Sequence, residues 1–118
     1  MFRLDDKITL VTGAGSGIGE SIAKLFGQSG AFVGVIDRDQ SSAEATSKSI
    51  QESGGKSEAF HLDVCNAKAC NDLAESLQER FGRSDILVNN AGIGHVGTLL
   101  DTEAEDLDLT FKDVVLIG

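Results

Sequence analysis

Thr12, Gly13, Gly17 and Gly19 stand in the spacing T-G-x-x-x-G-x-G, written TGAGSGIG over residues 12–19. The apolar residues Ile8, Leu10 and Val11 run straight into this turn, and an amphipathic segment leaves it. Glycines let backbone N–H groups come close to a phosphate. A helix opening at the same point adds its unsatisfied amides and the positive end of its dipole. Asp37 closes the next apolar run, Ala31–Ile36, where a carboxylate can accept hydrogen bonds from a ribose 2′-hydroxyl. Together these residues read as a dinucleotide-binding half-fold.

Other nucleotide sites fit less well. The pattern G-x-G-x-x-G fails at its last position whether it starts at Gly13 or Gly15, where Ile18 and Glu20 stand. A P-loop needs G-K-[ST] at its end, and no lysine occurs there. An S-adenosylmethionine site usually carries an acid just ahead of the glycines, where this chain has Val11 and Thr12. Asp63 stands at a strand end, where a carboxylate also caps the turn that follows, and the pair Asn89–Asn90 suits turn hydrogen bonds as well as a ligand. His61 reads as a packed or edge histidine inside a strand, and His95 as a loop histidine with no partner motif.

The elements that must position these residues alternate along the chain. Strands are expected at Lys7–Thr12, Ala31–Asp37, Ser57–Asp63 and Asp85–Asn89. Helices are expected at Gly17–Ser29, Ser41–Ser53 and Ala67–Phe81, closed by Gly30, Gly54–Gly55 and Gly82. Ile18, Ile22, Leu25 and Phe26 form the apolar stripe of the first helix, and Leu73, Leu77 and Phe81 that of the third. Strands one and four are apolar on both faces, as in a parallel sheet covered on both sides. Right-handed crossovers then require the order 3-2-1-4, with the switch point between strands one and four. The fold class is α/β: a partial, doubly wound, Rossmann-like parallel sheet in a single domain over residues 1–118. A capping-box pattern at Thr102–Glu105 opens a further helix through about Lys112, and the tail from Asp113 to Gly118 suits strand or helix equally.

Composition supports this class. Of 118 residues, 41% are hydrophobic and 25% charged, ordinary values for a globular domain. A formal net charge of −9 with no basic run argues against nucleic acid and anionic membrane as partners. No window approaches the ~18 consecutive apolar residues of a membrane-spanning helix. The first residues lack the apolar core of a signal peptide. Cys65 and Cys70 match neither a redox pair nor a metal-ligand spacing, so reduced thiols and a cytoplasmic location are expected.

TGAGSGIG at 12–19, Asp37, Asp63–Val64 and NNAG at 89–92 together resemble the short-chain dehydrogenase/reductase family, whose amino-terminal half residues 5–112 would cover. The resemblance implies that Gly13, Ser16, Gly17, Ile18 and Gly19 line the pyrophosphate turn and that Asp37 holds the adenosine ribose. It implies that Asp63 and Val64 flank the adenine, and that Asn90, Ala91 and Gly92 meet the nicotinamide-side ribose, with Asn89 tying the central strands together. A carboxylate at position 37 bonds the ribose hydroxyls of NAD and repels the 2′-phosphate of NADP. Ala14 and Ser16 stand where NADP-preferring members tend to carry a basic residue, although Arg38 beside the acid could tolerate a phosphate. NAD is the expected cofactor.

Family members complete their chemistry with a Ser and a Tyr-x-x-x-Lys pair, plus an Asn on the helix after NNAG. This chain contains no tyrosine, and the Asn position falls near Val114 or Val115. The chain is therefore expected to be a truncated member with a divergent tail at 109–118. It would bind a dinucleotide without turnover, while the full-length form, a homo-oligomer, would act on a small alcohol or ketone. The competing reading is a non-catalytic dinucleotide-binding or interaction module.

Overall fold

In a computed structural model that describes residues 3–90 and 111–116, the chain alternates strand and helix as its periodicities require. It runs β1 (Ile8–Thr12), α1 (Gly17–Gln28), β2 (Phe32–Asp37), α2 (Gln40–Glu52), β3 (Lys56–His61), α3 (Ala67–Phe81), β4 (Ser84–Asn89) and β5 (Phe111–Leu116). All ladders are parallel, in the order β3-β2-β1-β4-β5. The expected order 3-2-1-4 holds, and β5 covers the β4 edge that the sequence alone left open.

The pleat sorts adjacent apolar residues to opposite faces. Leu10 lies between Gly34 and Leu87, while Val11 lies between Val35 and Val88. Leu10, Ile36 and Leu87 pack with Leu62, Val64, Cys70, Ala74 and Leu77 under α3. Val11, Val33, Val35 and Val88 pack with Ala23, Ala43 and Ile50 under α1 and α2. Helices on both faces explain why the strands read as continuous apolar runs.

Three sequence expectations need correction. The buried stripe of α1 is Gly19, Ala23 and Gly27, with Ile22 and Phe26 only partly covered, whereas Ile18 is 63% and Leu25 49% exposed. Small residues win because α1 approaches its neighbours closely: a Cβ on Gly27 would lie 2.6 Å from Ile50. Second, β3 ends at His61, and Asp63 sits beyond it. The Asp63 side chain accepts from the Cys65 amide at 2.9 Å and its carbonyl from the Asn66 amide at 2.9 Å, which turns the chain away from the sheet. Third, Phe111 and Lys112, expected at the end of a helix, belong to β5, because pairing of Val114 and Val115 with Leu87 and Val88 draws the segment into the ladder. The rest of that expected helix, and His95, lie outside the described residues.

Candidate functional site

All the signature residues within the described chain come to the carboxyl ends of the strands, where an open parallel sheet binds ligands. Gly13 (φ 65°) and Gly17 (φ 59°) take left-handed conformations that residues with a Cβ rarely adopt. They fold the backbone back from β1 into α1. Ser16 occupies the N-cap position of α1 in extended conformation, but its side chain makes no capping hydrogen bond. The other two described helices are capped, α2 by Asp39 and α3 by Asn66. The first amides of α1, at Gly17, Ile18 and Gly19, thus open from an exposed turn with no side chain of their own to satisfy them. Glu20, the acid of that first turn, is paired with Lys24 at 2.6 Å, which offsets its charge near an incoming anion.

Gly19 is buried against the turn itself. A Cβ there would collide with the Gly13 carbonyl and stand 2.7 Å from the Asn90 side-chain nitrogen. Asn90 reaches the turn from the end of β4, donating from Nδ2 to the Gly13 carbonyl at 3.3 Å and from its amide to Thr12 Oγ1 at 3.0 Å. Thr12 Oγ1 in turn donates to Asn89 Oδ1 at 2.9 Å. The structural role expected of Asn89 therefore has a physical form. It joins β4 to β1 through the Thr12 hydroxyl, a residue that reading the sequence credited only as part of the motif.

Asp37 ends β2 half-buried, one carboxylate oxygen facing the turn at Gly15 and the other the start of α2. Beside it a cleft of about 110 Å³ is lined by Gly13, Asp37, Arg38, Asp63, Val64 and Cys65, among others. Asp63 and Val64 thus meet Asp37 across a single depression. Asp63 also does what its alternative reading required and caps its own turn. Ala91 and Gly92 lie outside the described residues. Exposed Cys65 and buried Cys70 are both free thiols, and burial pushes the Cys70 thiol up. His61 stands exposed at the end of edge strand β3.

Sequence reading also missed Asp85. Buried at the start of β4, it accepts from the Ile8 amide at 2.8 Å and pairs with Arg83 at 3.4 Å, joining β4 to β1 at the end of the sheet away from the cleft. An acid opening an otherwise apolar strand was its only signal.

This donor set fits a dinucleotide. Uncapped amides at the head of α1 suit a diphosphate, the bare Gly19 lets the backbone close up, and an acid faces an adjoining cleft large enough for part of a nucleoside. A family model described as short chain dehydrogenase matches residues 7–115. The chain is 43% identical over 103 residues to a Mycobacterium tuberculosis protein named "Probable oxidoreductase EphD", covering 87% of this chain and 17% of that protein. A 7α-hydroxysteroid dehydrogenase solved with NADH and 7-oxo glycochenodeoxycholic acid superposes with a TM-score of 0.70 at 39% identity, covering 75% of this chain and 34% of the other. A metagenomic short-chain oxidoreductase solved with NADP gives 0.73 at 37% identity, covering 77% and 41%. The chain spans less than half the length of each.

Proposed function

The chain belongs to the short-chain dehydrogenase family, and from that premise we propose that its glycine turn and Asp37 hold NAD in preference to NADP. The observation that carries this is the pairing of an uncapped α1 with an acid lining the adjoining cleft. Gly13, Ser16, Gly17, Ile18 and Gly19 line the diphosphate, largely through backbone amides. Asp37 accepts from the adenosine ribose hydroxyls, and its charge opposes a 2′-phosphate. Arg38, exposed beside it, weakens that opposition without replacing the hydrogen bonds. Asp63 and Val64 flank the adenine, while Asn90, with Ala91 and Gly92, meets the second ribose.

When bound, the nicotinamide supplies the hydride chemistry. The family's relatives support an oxidoreductase, and for a form that carries the family's catalytic segment we propose transfer between NAD and a small alcohol or ketone, in a cytoplasmic homo-oligomer. The part played by these 118 residues is binding and orientation. They hold no tyrosine to move a proton at the substrate oxygen, so by themselves they bind cofactor without turnover.

Calorimetric titration of the chain with both dinucleotides tests the reading. NAD is expected to bind roughly tenfold more tightly than NADP, the worth of one hydrogen bond to a charged group. Tighter binding of NADP overturns the preference. Alcohol-dependent NADH formation by the 118 residues alone overturns the division of labour.

A further inference from the structure

At the end of the sheet away from the cofactor cleft, Ile8, Phe32 and Lys56 open β1, β2 and β3 in register, and Phe81 closes α3. With Asp6, Lys7 and Gly30 they line a cavity of about 240 Å³, against about 110 Å³ for the cleft beside Asp37. The rings of Phe32 and Phe81 meet at 4.7 Å between centroids, tilted by 44°, and both side chains are only half-buried. Hydrogen bonds fix the rim. Asp6 takes a left-handed conformation (φ 64°), the Lys7 amide donates to the Leu4 carbonyl at 3.0 Å, and the Arg83 guanidinium donates to the Asp6 carbonyl. The Phe32 amide donates to the Lys7 carbonyl at 2.9 Å, tying that rim to β2.

Charge also gathers there. The chain carries a net −9, yet Arg3, Lys7, Lys56, Arg80 and Arg83 all stand in or against these walls. The three arginines are engaged, Arg3 with Asp5, Arg80 with Glu58 and Arg83 with Asp85. Lys7 and Lys56 have no ion-pair partner among the described residues, and both line the cavity. Aromatic walls beside two unengaged ammonium groups complement a flat apolar body that carries a negative charge. A polyphosphate would set further charge against Asp6 and the apolar wall, so a single charge suits the site best. We propose that this cavity is a second ligand site, independent of the dinucleotide cleft, which takes a small aromatic monocarboxylate. Its ring lies against Phe32 and Phe81, and its carboxylate pairs with Lys7 and Lys56.

The test follows backbone amide shifts of the 118-residue chain by NMR during titration with 2-naphthoate, beside its neutral analogue 2-naphthamide. The acid should bind with a Kd of about 1 mM or below, a modest affinity for a ligand of two rings. Its shifts should centre on Ile8, Gly30, Phe32, Lys56 and Phe81 and persist in saturating NAD. The amide should bind at least about fivefold more weakly. Replacing both lysines, Lys7→Gln with Lys56→Gln, should bring the acid down to the affinity of the amide. No saturable shift of these residues overturns the site, as do shifts centred on the glycine turn or displacement by NAD. Equal affinity for acid and amide overturns the role of the lysines. Should the double variant fail to fold, the comparison of acid with amide on the parent chain decides.

Discussion

Gly19 and Thr12 show how much a single residue carries in the turn. Gly19 has no Cβ because the Gly13 carbonyl and the Asn90 amide group occupy that space. Gly19→Ala is therefore expected to push the turn open, costing about 1–3 kcal/mol of stability by overpacking. It should also weaken dinucleotide binding by at least about tenfold. Chemical unfolding and titration of the same variant check both, and unimpaired binding would contradict the close approach. The motif spacing made Gly19 legible in the sequence, and so was Asp37 at the end of its apolar run. The Thr12 hydroxyl was not legible as a bridge, because its partners Asn89 and Asn90 become neighbours only when β4 lies beside β1.

The helices divide by how they begin. α2 and α3 are closed by their own side chains, whereas α1 opens onto the cleft. The Ser42 amide above all, with the Ser42 and Ser41 hydroxyls, holds the Asp39 carboxyl below the usual carboxylate range. Its folded value is thus lower than its unfolded one, near about 3.9. The stability it contributes is complete above that unfolded value and is lost as pH falls through the folded one. Asp39→Asn keeps a capping oxygen but no titrating group. Unfolding followed down to about pH 3 should show the variant losing less stability on acidification than the parent. Parallel curves would exclude Asp39 as a source of acid sensitivity. The apolar stripe of α1 was misread because large residues draw attention in a periodic pattern. Close helix packing instead selected Gly19, Ala23 and Gly27 for the interface.

For the molecule as a whole, stability and binding meet in the central strands. Leu87 is fully buried between Leu10 and the α3 face, so Leu87→Ala is expected to cost about 3 kcal/mol through lost contact and a cavity. β4 also carries Asn89 and leads directly into Asn90, so bound cofactor should recover stability for the variant as it does for the parent. NAD at about a hundred times its dissociation constant should return about 2.7 kcal/mol. Thermal unfolding with and without NAD measures both numbers. A variant that melts like the parent would mean that this position repacks without loss. Among the described residues no helix is long and apolar enough to cross a membrane.

Local chemistry determined a good deal on its own. Glycine spacing, an acid after the second apolar run and β-branched strands free of polar alternation depend on neighbours in the chain. From them the parallel α/β order and the residues of the turn follow. Tertiary structure alone decided which residues touch across strands: Thr12 with Asn89 and Asn90, Gly15 with Asp37, Asp85 with Ile8. It also decided that Phe111–Leu116 is a strand, since Phe111 and Lys112 read as the end of a helix and the tail from Asp113 suits either state until β4 offers a ladder. The division has one physical cause. Periodicity and turn chemistry act over a few residues, whereas these hydrogen bonds join positions 22 to 78 residues apart, which only the folded sheet brings within reach.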